Sequence, residues 1–528
     1  MPNPYHTDKP KSYRPPRTPL MQLLLKAWRM AQLRRRSAAD IPTTTSLSGV
    51  NLSRRRFVQR SALATLALST SGLWSSCRKD ELDTTRSIAI VGGGMAGLRA
   101  ANILRKAGFG STIFEASNRT GGRVYSAANL MGDGLTTELG GEFIDSIHED
   151  MLDLVAEYGL TLLDTQAPSE TSLIKDAYFF NGQHYSLSNV IDAFDDIAGA
   201  IDNATSNVEA YDNLSISQYL QSIGVSGWLR SLLEVAYTTE YGLEADLQSA
   251  VNLLYLISTD TSSGSFDIFG ESDERYKVVG GNQQIVDKLA ADVSEQIQLG
   301  HKLLKISTNA DGKYVLAFDK GGGSTTESVA EFVILALPFT MLREVDLTEL
   351  NLPAQKTQAI NELGYGTNAK LILGFNNRPW RNVGYVGYAF SDNGLQTGWD
   401  SSQLQNNNSG TGSYTVFTGG NNGVALADGT PAAQAALYLP LLDQLFAGSA
   451  AAFNNKAERF HWPTYPFSKG SYPCYLVGQL TAFGETERDS VGKLFFAGDH
   501  CSIEYQGYMN GAAETGRMAA EDILALIN

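Results

Sequence analysis

The sequence is poor in the residues that build metal centres and disulfide frameworks. Its 528 residues include only three cysteines, Cys77, Cys474 and Cys501, and six histidines. No CxxC pair and no Cys/His spacing typical of zinc occurs, so we predict no metal site. A disulfide between Cys474 and Cys501 is compatible with the sequence, but nothing indicates one. No HExxH motif and no Ser/His/Asp set stands out, so the sequence gives no sign of a metalloprotease or of a nucleophilic triad.

Positive charge is also scarce once the first part of the chain is set aside. The formal net charge is −15, yet residues 1–79 carry fifteen Lys and Arg against only Asp8 and Asp40. The remaining residues carry 26 basic and 54 acidic side chains, a net charge of −28. An acidic body argues against nucleic acid as a partner. It favours cationic substrates by long-range steering, or it serves solubility alone.

Long apolar runs are few, and the one near the start is too short to span a bilayer. Residues 62–73 are about a dozen mostly apolar residues and follow the triplet Arg54-Arg55-Arg56. Residues 53–77 therefore predict an export signal, and they resemble the twin-arginine type. Small residues before Cys77 resemble a lipoprotein cleavage site, and lipid anchoring through Cys77 is left open. With residues 1–52 as a disordered leader, we expect an exported protein, either periplasmic or membrane-anchored facing the periplasm.

The strongest pattern in the rest of the chain is a glycine turn between two apolar runs. Residues 87–91 are apolar apart from Ser87, residues 92–97 read Gly-Gly-Gly-Met-Ala-Gly, and a helix-like segment follows to Ala107. A second apolar run then ends on Glu115. Strand, glycine turn, helix, strand and acid form the dinucleotide-binding fingerprint in its required context.

Each glycine of this turn has a separate expected role. Gly92 allows the tight turn, Gly94 lets the backbone approach a pyrophosphate, and Gly97 lets helix and strand pack closely. The N–H groups at the start of the helix favour a diphosphate. Glu115 lies where a carboxylate accepts hydrogen bonds from ribose hydroxyls, which disfavours NADP. NAD and FAD both remain as candidates at this point.

Further stretches carry a resemblance to a known family. They are residues 119–123 (Arg-Thr-Gly-Gly-Arg), 138–141 (Glu-Leu-Gly-Gly), 462–472, 494–500 (Leu-Phe-Phe-Ala-Gly-Asp-His) and 506–512 (Gln-Gly-Tyr-Met-Asn-Gly-Ala). Together with the glycine turn they resemble the flavin-containing amine oxidase family, which includes monoamine, polyamine and L-amino-acid oxidases. The tail motif has no role without an isoalloxazine, which argues against an NAD-dependent dehydrogenase.

The resemblance implies an α/β fold of two domains, which the length of the chain also favours. Residues 85–147, 276–345 and 485–528 are expected to form a Rossmann-like FAD-binding domain from three separated segments. Residues 148–275 and 346–484 are expected to form an α+β substrate-binding domain.

One stretch inside the second domain has the composition of a flexible loop. Residues 401–413 are rich in Gly, Asn and Ser, and we predict that they form a mobile insertion. The mainly helical block that follows residue 148 is expected to cover the active site.

The resemblance also implies the cofactor contacts. Asp499 would bind ribityl hydroxyls, the Met509 N–H would face the pyrimidine oxygens of the flavin, and the Leu303 backbone would bind the adenine. The predicted cofactor-binding residues are Gly92, Gly94, Met95, Ala96, Gly97, Glu115, Ala116, Gly122, Arg123, Gly140, Gly141, Glu142, Leu303, Gly498, Asp499, Gly507, Tyr508 and Met509. Mitochondrial monoamine oxidases carry the flavin on a cysteine at the position of Ser471, so non-covalent FAD is expected here.

Three residues are the predicted catalytic set. Tyr472 and Tyr508 resemble the two walls of the family's aromatic cage, whose faces accept an amine nitrogen. Lys370 matches the family lysine that holds a water against flavin N5, and a lysine at the start of a core-directed strand is otherwise unusual.

The reaction implied is oxidation of a neutral amine, with hydride transfer from its Cα to N5 and hydrolysis of the imine. Reoxidation by O₂ would give H₂O₂, and a periplasmic electron carrier is the alternative. An L-amino-acid oxidase remains a second reading. Glu142 and Asp145 stand where many L-amino-acid oxidases have an arginine, which favours amines without a carboxylate. The sequence leaves the oligomeric state open, a homodimer included.

Overall fold

The computed structural model describes residues 82–408 and 410–527. The predicted leader, the export signal and Cys77 lie outside these described residues. Among the residues described, no helix combines the length and the apolar character needed to cross a membrane. Cys474 and Cys501 are both buried free thiols.

Helices are spread along the whole described chain. They are α1 Met95–Lys106, α2 Glu149–Glu157, α3 Leu187–Thr205, α4 Ile216–Ser222, α5 Gly227–Tyr241, α6 Ala250–Leu256, α7 Gln283–Asp292, α8 Phe339–Leu342, α9 Ala354–Glu362, α10 Pro379–Asn382, α11 Gly420–Ala425, α12 Pro431–Leu445, α13 Ser449–Ala452, α14 Gln479–Phe483 and α15 Met509–Ile527.

The strands form two large sheets and three smaller ones. They are β1 Ile88–Val91, β2 Thr112–Glu115, β3 Ser126–Ala128, β4 Thr136–Glu138, β5 Leu162–Asp164, β6 Ile174–Phe180, β7 Gln183–Tyr185, β8 Tyr276–Val278, β9 Ile297–Leu299, β10 Lys302–Thr308, β11 Tyr314–Asp319, β12 Thr325–Ala330, β13 Phe332–Leu335, β14 Ala369–Phe375, β15 Tyr385–Ser391, β16 Gln396–Asp400, β17 Gly412–Thr418, β18 Phe453–His461 and β19 Leu494–Phe496.

A five-stranded parallel sheet in the order β19-β13-β1-β2-β9 draws on the three segments expected to form the FAD-binding domain. Its central strand β1 is buried at every position because the sheet is covered on both faces. Ile88 and Ile90 pack with α1, α7 and α15, whereas Ala89 and Val91 face the opposite layer with Phe318 of β11. The period of two along β1 thus divides one short strand between two cores.

The turn from β1 to α1 is closed by direct backbone contact. Gly92 has φ +107°, a conformation that favours glycine, and an added Cβ there would overlap the Ala336 carbonyl. A Cβ on Gly97 would overlap the carbonyl oxygen of Gly92 itself. The tail of the chain packs as closely, since a Cβ on Gly516 of α15 would overlap the Ala96 carbonyl of α1.

The second large sheet has seven strands in the order β18-β14-β17-β16-β15-β6-β7. Its strand β14 is buried at every position, which places Lys370 in the core. Strands β6 and β7 come from the block predicted to be mainly helical. The domain boundaries drawn from the sequence stay a prediction.

The flexible loop predicted at residues 401–413 joins β16 to β17 and is held at both of its ends, with Asn406 and Asn407 exposed between them. Ser401 and Ser402 are 1% and 0% exposed, and Gly412 begins β17. Arg378 donates to the Asn408 side chain and to the Gln405 carbonyl, both at 2.8 Å, which ties the segment down. Composition indicated a loop because Ser, Asn and Gly favour turns, and the structure adds that the two ends of this loop are buried in the protein.

Gly97→Ala should destabilise the protein, because its new methyl group has no space beside the Gly92 carbonyl. We expect the free energy of unfolding to fall by about 1–3 kcal/mol or more and the thermal midpoint to fall with it. Gly199→Ala is the matched control: Gly199 lies within α3 with open space around its Cα. Alanine there should leave the midpoint unchanged or raise it. An equal response of the two variants would contradict the packing described for the β1–α1 turn.

Candidate active site

A single long cavity of about 310 Å³ joins the glycine turn to the two predicted cage tyrosines. All the predicted cofactor-binding and catalytic residues line it except Gly97, which lies behind the turn. The fold therefore brings together residues that are more than 400 positions apart in the chain, such as Gly92 and Met509.

The amino end of α1 and the end of β2 form one end of this cavity. The N-cap Gly94 has no side chain to bond the first N–H groups of α1, and its open side meets nothing nearer than Gly122 Cα at 3.8 Å. Glu115 Oε2 accepts from the Gly93 N–H at 2.7 Å, and Oε1 accepts from the Ser117 N–H at 2.8 Å. The carboxylate keeps lone pairs for further donors. These features fit a ribose and a diphosphate at a helix terminus.

Arg123 and Asp499 form a buried ion pair on the wall. The guanidinium donates to both Asp499 oxygens, one of them at 3.0 Å, and to the Ser471 carbonyl. Burial alone would raise the pKa of Asp499, but Arg123 outweighs it and lowers this pKa to about 2. Asp499 is therefore an anion throughout the ordinary pH range, with Arg123 held in place by it.

Glycines narrow the middle of the cavity. A Cβ on Gly140 would overlap the Arg123 carbonyl, and one on Gly141 would lie 2.8 Å from Met509 Sδ. A side chain at either position would have to displace its neighbour, so the backbone itself forms the wall here. Such a wall lets a flat, bulky ring system approach the main chain.

Tyr472 and Tyr508 stand at the other end of the cavity, as the resemblance implies. The Tyr508 hydroxyl donates to Glu240 Oε1 at 2.8 Å, and the Tyr472 hydroxyl donates to the Thr239 carbonyl at 3.3 Å. Both acceptors belong to the last turn of α5. One helix end therefore orients both aromatic walls.

Three carboxyl groups share this end with the tyrosines. Burial raises the pKa of Glu240 to about 7 and that of Asp145 to about 6. Burial, together with the negative charges of Glu240 and Asp145, raises the pKa of Glu274 to about 8. The three groups interact, so they titrate as a cluster. Near neutral pH the cluster can both attract a cation and accept a proton.

Lys370 faces the cavity between these groups and the glycine pair. Its ammonium donates to the carbonyls of Glu138 and Gly140 at 3.0 and 2.8 Å, and to Glu142 Oε2 at 2.7 Å. An ammonium has three N–H donors, so these contacts take up all of them. The expected water on Lys370 therefore requires one of these contacts to open, and that role stays a prediction.

Several residues of the site were not singled out from the sequence. Glu240, Glu274 and Lys277 belong to no motif of the sequence, where a lone glutamate is equally compatible with a surface charge. Lys277 carries the same signal that marked Lys370, a lysine within a strand, and it is 4% exposed. Glu504, a glutamate close to Tyr508 in the sequence, is exposed and does not line the cavity.

The sequence of the chain is similar to sequences of known proteins. The sequence model of one family, described as flavin containing amine oxidoreductase, matches residues 95–524. The chain belongs to this family. A flavin-containing amine oxidase from Danio rerio is 23% identical over 459 residues, which cover 83% of this chain and 85% of the relative. An L-amino acid dehydrogenase from Synechocystis sp. is 24% identical over 83% of this chain and 94% of its own length.

A solved structure shows that the fold is shared as well. Putrescine oxidase bound to putrescine superposes with a TM-score of 0.69 at 22% identity, covering 83% of this chain and 99% of the other. The α/β amine oxidase fold expected from the sequence is thus confirmed. The protein is an enzyme that oxidises amines with FAD as its cofactor.

Acid denaturation of the yellow holoenzyme should release its FAD into the supernatant, because neither cysteine of the described residues, Cys474 or Cys501, lines the cavity. Ser471 occupies the position before Tyr472 and donates to the Asn368 side chain at 2.6 Å. Cys474 is fully buried, and its sulfur accepts from the Asn252 amide at 3.4 Å. Flavin absorbance measured in the supernatant and in the pellet checks this, and flavin retained in the pellet would contradict it.

Proposed function

We propose that the enzyme oxidises amines that carry no carboxylate on the reacting carbon. The observation that carries this proposal is the charge of the substrate end of the cavity, where Glu240, Asp145 and Glu274 gather. A carboxylate substrate would meet this negative cluster and be repelled. An ammonium would be attracted by it.

The arginines on the cavity wall support the same substrate class. In the described residues they are Arg119 and Arg123. Arg119 donates to the carbonyls of Thr120 and Gly122, and Arg123 is paired with Asp499. Arg275 and Arg378 lie elsewhere: Arg275 pairs with Asp164, and Arg378 is bound to the 401–413 segment. No guanidinium of the described residues is thus placed for a substrate carboxylate.

The tyrosines and Glu240 would act together on the bound amine. Tyr472 and Tyr508 present ring faces that attract the amine nitrogen and orient its Cα. Glu240, bonded to Tyr508 through one oxygen, has the other available to take a proton from the ammonium. That transfer leaves the neutral amine, whose nitrogen lone pair can stabilise the cation that forms as the Cα–H is lost.

FAD supplies the two-electron acceptor for that Cα–H. The glycine turn, Glu115, Asp499 and the backbone around Gly141 and Met509 are the residues that would hold it. Hydrolysis of the product imine in water gives a carbonyl compound and ammonia or an alkylamine. We further propose O₂ as the electron acceptor, with H₂O₂ as the product.

A panel of substrates under anaerobic conditions tests the substrate class. We expect monoamines and diamines to bleach the flavin absorbance and the matching L-amino acids to bleach it at least about tenfold more slowly. Admitting air should restore the colour and yield one H₂O₂ per flavin. Preferential bleaching by L-amino acids would overturn the proposal and favour the activity named for the Synechocystis relative.

Glu240→Gln tests the role of the carboxylate. Because the pKa of Glu240 is raised to about 7, its negative charge is present above that pH and lost below it. The variant should therefore lower kcat/KM by about tenfold near pH 8.5, and the gap from wild type should close below about pH 6. Glu327→Gln, on exposed β12, is the control and should follow the wild-type profile. A gap that stays constant with pH would contradict the proton-accepting role.

A further inference from the structure

A buried carboxylate lies between two buried lysines on the wall of the cavity. Glu142 Oε2 accepts from Lys370 Nζ at 2.7 Å, and Oε1 lies 3.5 Å from Lys277 Nζ. Glu142, Lys277 and Lys370 are 6%, 4% and 4% exposed. Buried charges of this kind are costly unless they are paired, so the three side chains stabilise one another.

The three groups come from separate parts of the chain. Glu142 follows the glycine pair after β4, Lys277 lies on β8, and Lys370 lies on β14. Lys277 also donates to the Ser401 carbonyl at 3.1 Å and lies 5.5 Å from the Phe143 ring. Lys370 lies 5.3 Å from the Trp399 ring, whose indole also lines the cavity. The three side chains meet only because the folded chain brings these separate segments together.

The charges of the cluster do not cancel. Burial by itself would raise the pKa of Glu142, but the two ammonium groups outweigh it and hold this pKa below its usual value. Glu142 is therefore ionised, and two cations face one anion. A further carboxyl that interacts with Glu142 and Lys370, that of Glu138, accepts from the Ser126 hydroxyl and from the Asn282 N–H at 2.6 and 2.8 Å. Burial raises the pKa of Glu138 to about 7.

We propose that Glu142 and Lys277 are positioning residues that hold the Lys370 ammonium as a fixed cation on the cavity wall, and that the net positive charge of this cluster raises the affinity of the bound FAD for electrons. The isoalloxazine gains one negative charge when it takes up two electrons and one proton near neutral pH. A positive charge held in a poorly hydrated wall stabilises that product over the oxidised ring. The midpoint potential of the bound flavin is a property of the enzyme whichever amine is its substrate.

Midpoint potentials of the bound flavin test the proposal, because Lys277→Met and Glu142→Gln change the net charge of the cluster in opposite directions. Lys277→Met removes a cation and should lower the potential. Lys277→Arg keeps the charge and should restore it to the wild-type value. Lys305→Met is the matched control. Lys305 lies on β10, away from the cavity, is half-exposed and pairs with Glu349. Its loss should leave the potential unchanged. The FAD content and thermal midpoint of each variant are measured alongside.

Glu142→Gln removes the anion and should raise the potential near pH 6.5. Should this variant fail to fold or to retain FAD, the Lys277 pair decides alone. Potentials of Lys277→Met and Glu142→Gln that equal that of the wild type, or that move in the same direction, would overturn the proposal.

Discussion

The turn between β1 and α1 can close only because no side chain stands between Gly97 and the Gly92 carbonyl. That contact sets the direction of α1 and so brings its first N–H groups to the cavity. It also places the Gly93 N–H where Glu115 accepts it, which joins β2 to the turn. The parallel sheet, the helix terminus and the ribose-facing acid therefore depend on one close backbone approach.

The two ends of the cavity differ in how their charges are compensated. At the cofactor end, Arg123 and Asp499 neutralise one another and stay charged. At the substrate end, burial raises the pKa values of Glu240 and Glu274 into the neutral range, although the charge of Lys175 acts on Glu274 against that shift. A carboxylate paired with a cation keeps its charge and gives a fixed electric field, whereas a carboxyl group with a pKa near neutral can exchange a proton. The same cavity thus offers a rigid binding site and a site for proton transfer.

Signals that lie close together along the chain could be interpreted without the structure. The glycine turn with Glu115, the tail around Asp499 and the tyrosines at 472 and 508 indicated the family and the cofactor, and the structure places all of them on one cavity. Residues 401–413 show the opposite case. Their composition favours loops, yet the partners that bury them, such as Arg378, lie outside the segment and are not visible in its composition.

The sequence alone indicated the dinucleotide site, because backbone geometry requires glycines and an acid at set local spacings. Its resemblance to the amine oxidase family indicated the fold class and the tyrosines proposed here as catalytic. Only the tertiary structure decided which charges meet. Glu142, Lys277 and Lys370 are up to 228 positions apart, and nothing in the sequence shows that these three side chains meet. Charge pairing depends on distance in space, and the folding of three separate segments onto one cavity wall sets that distance.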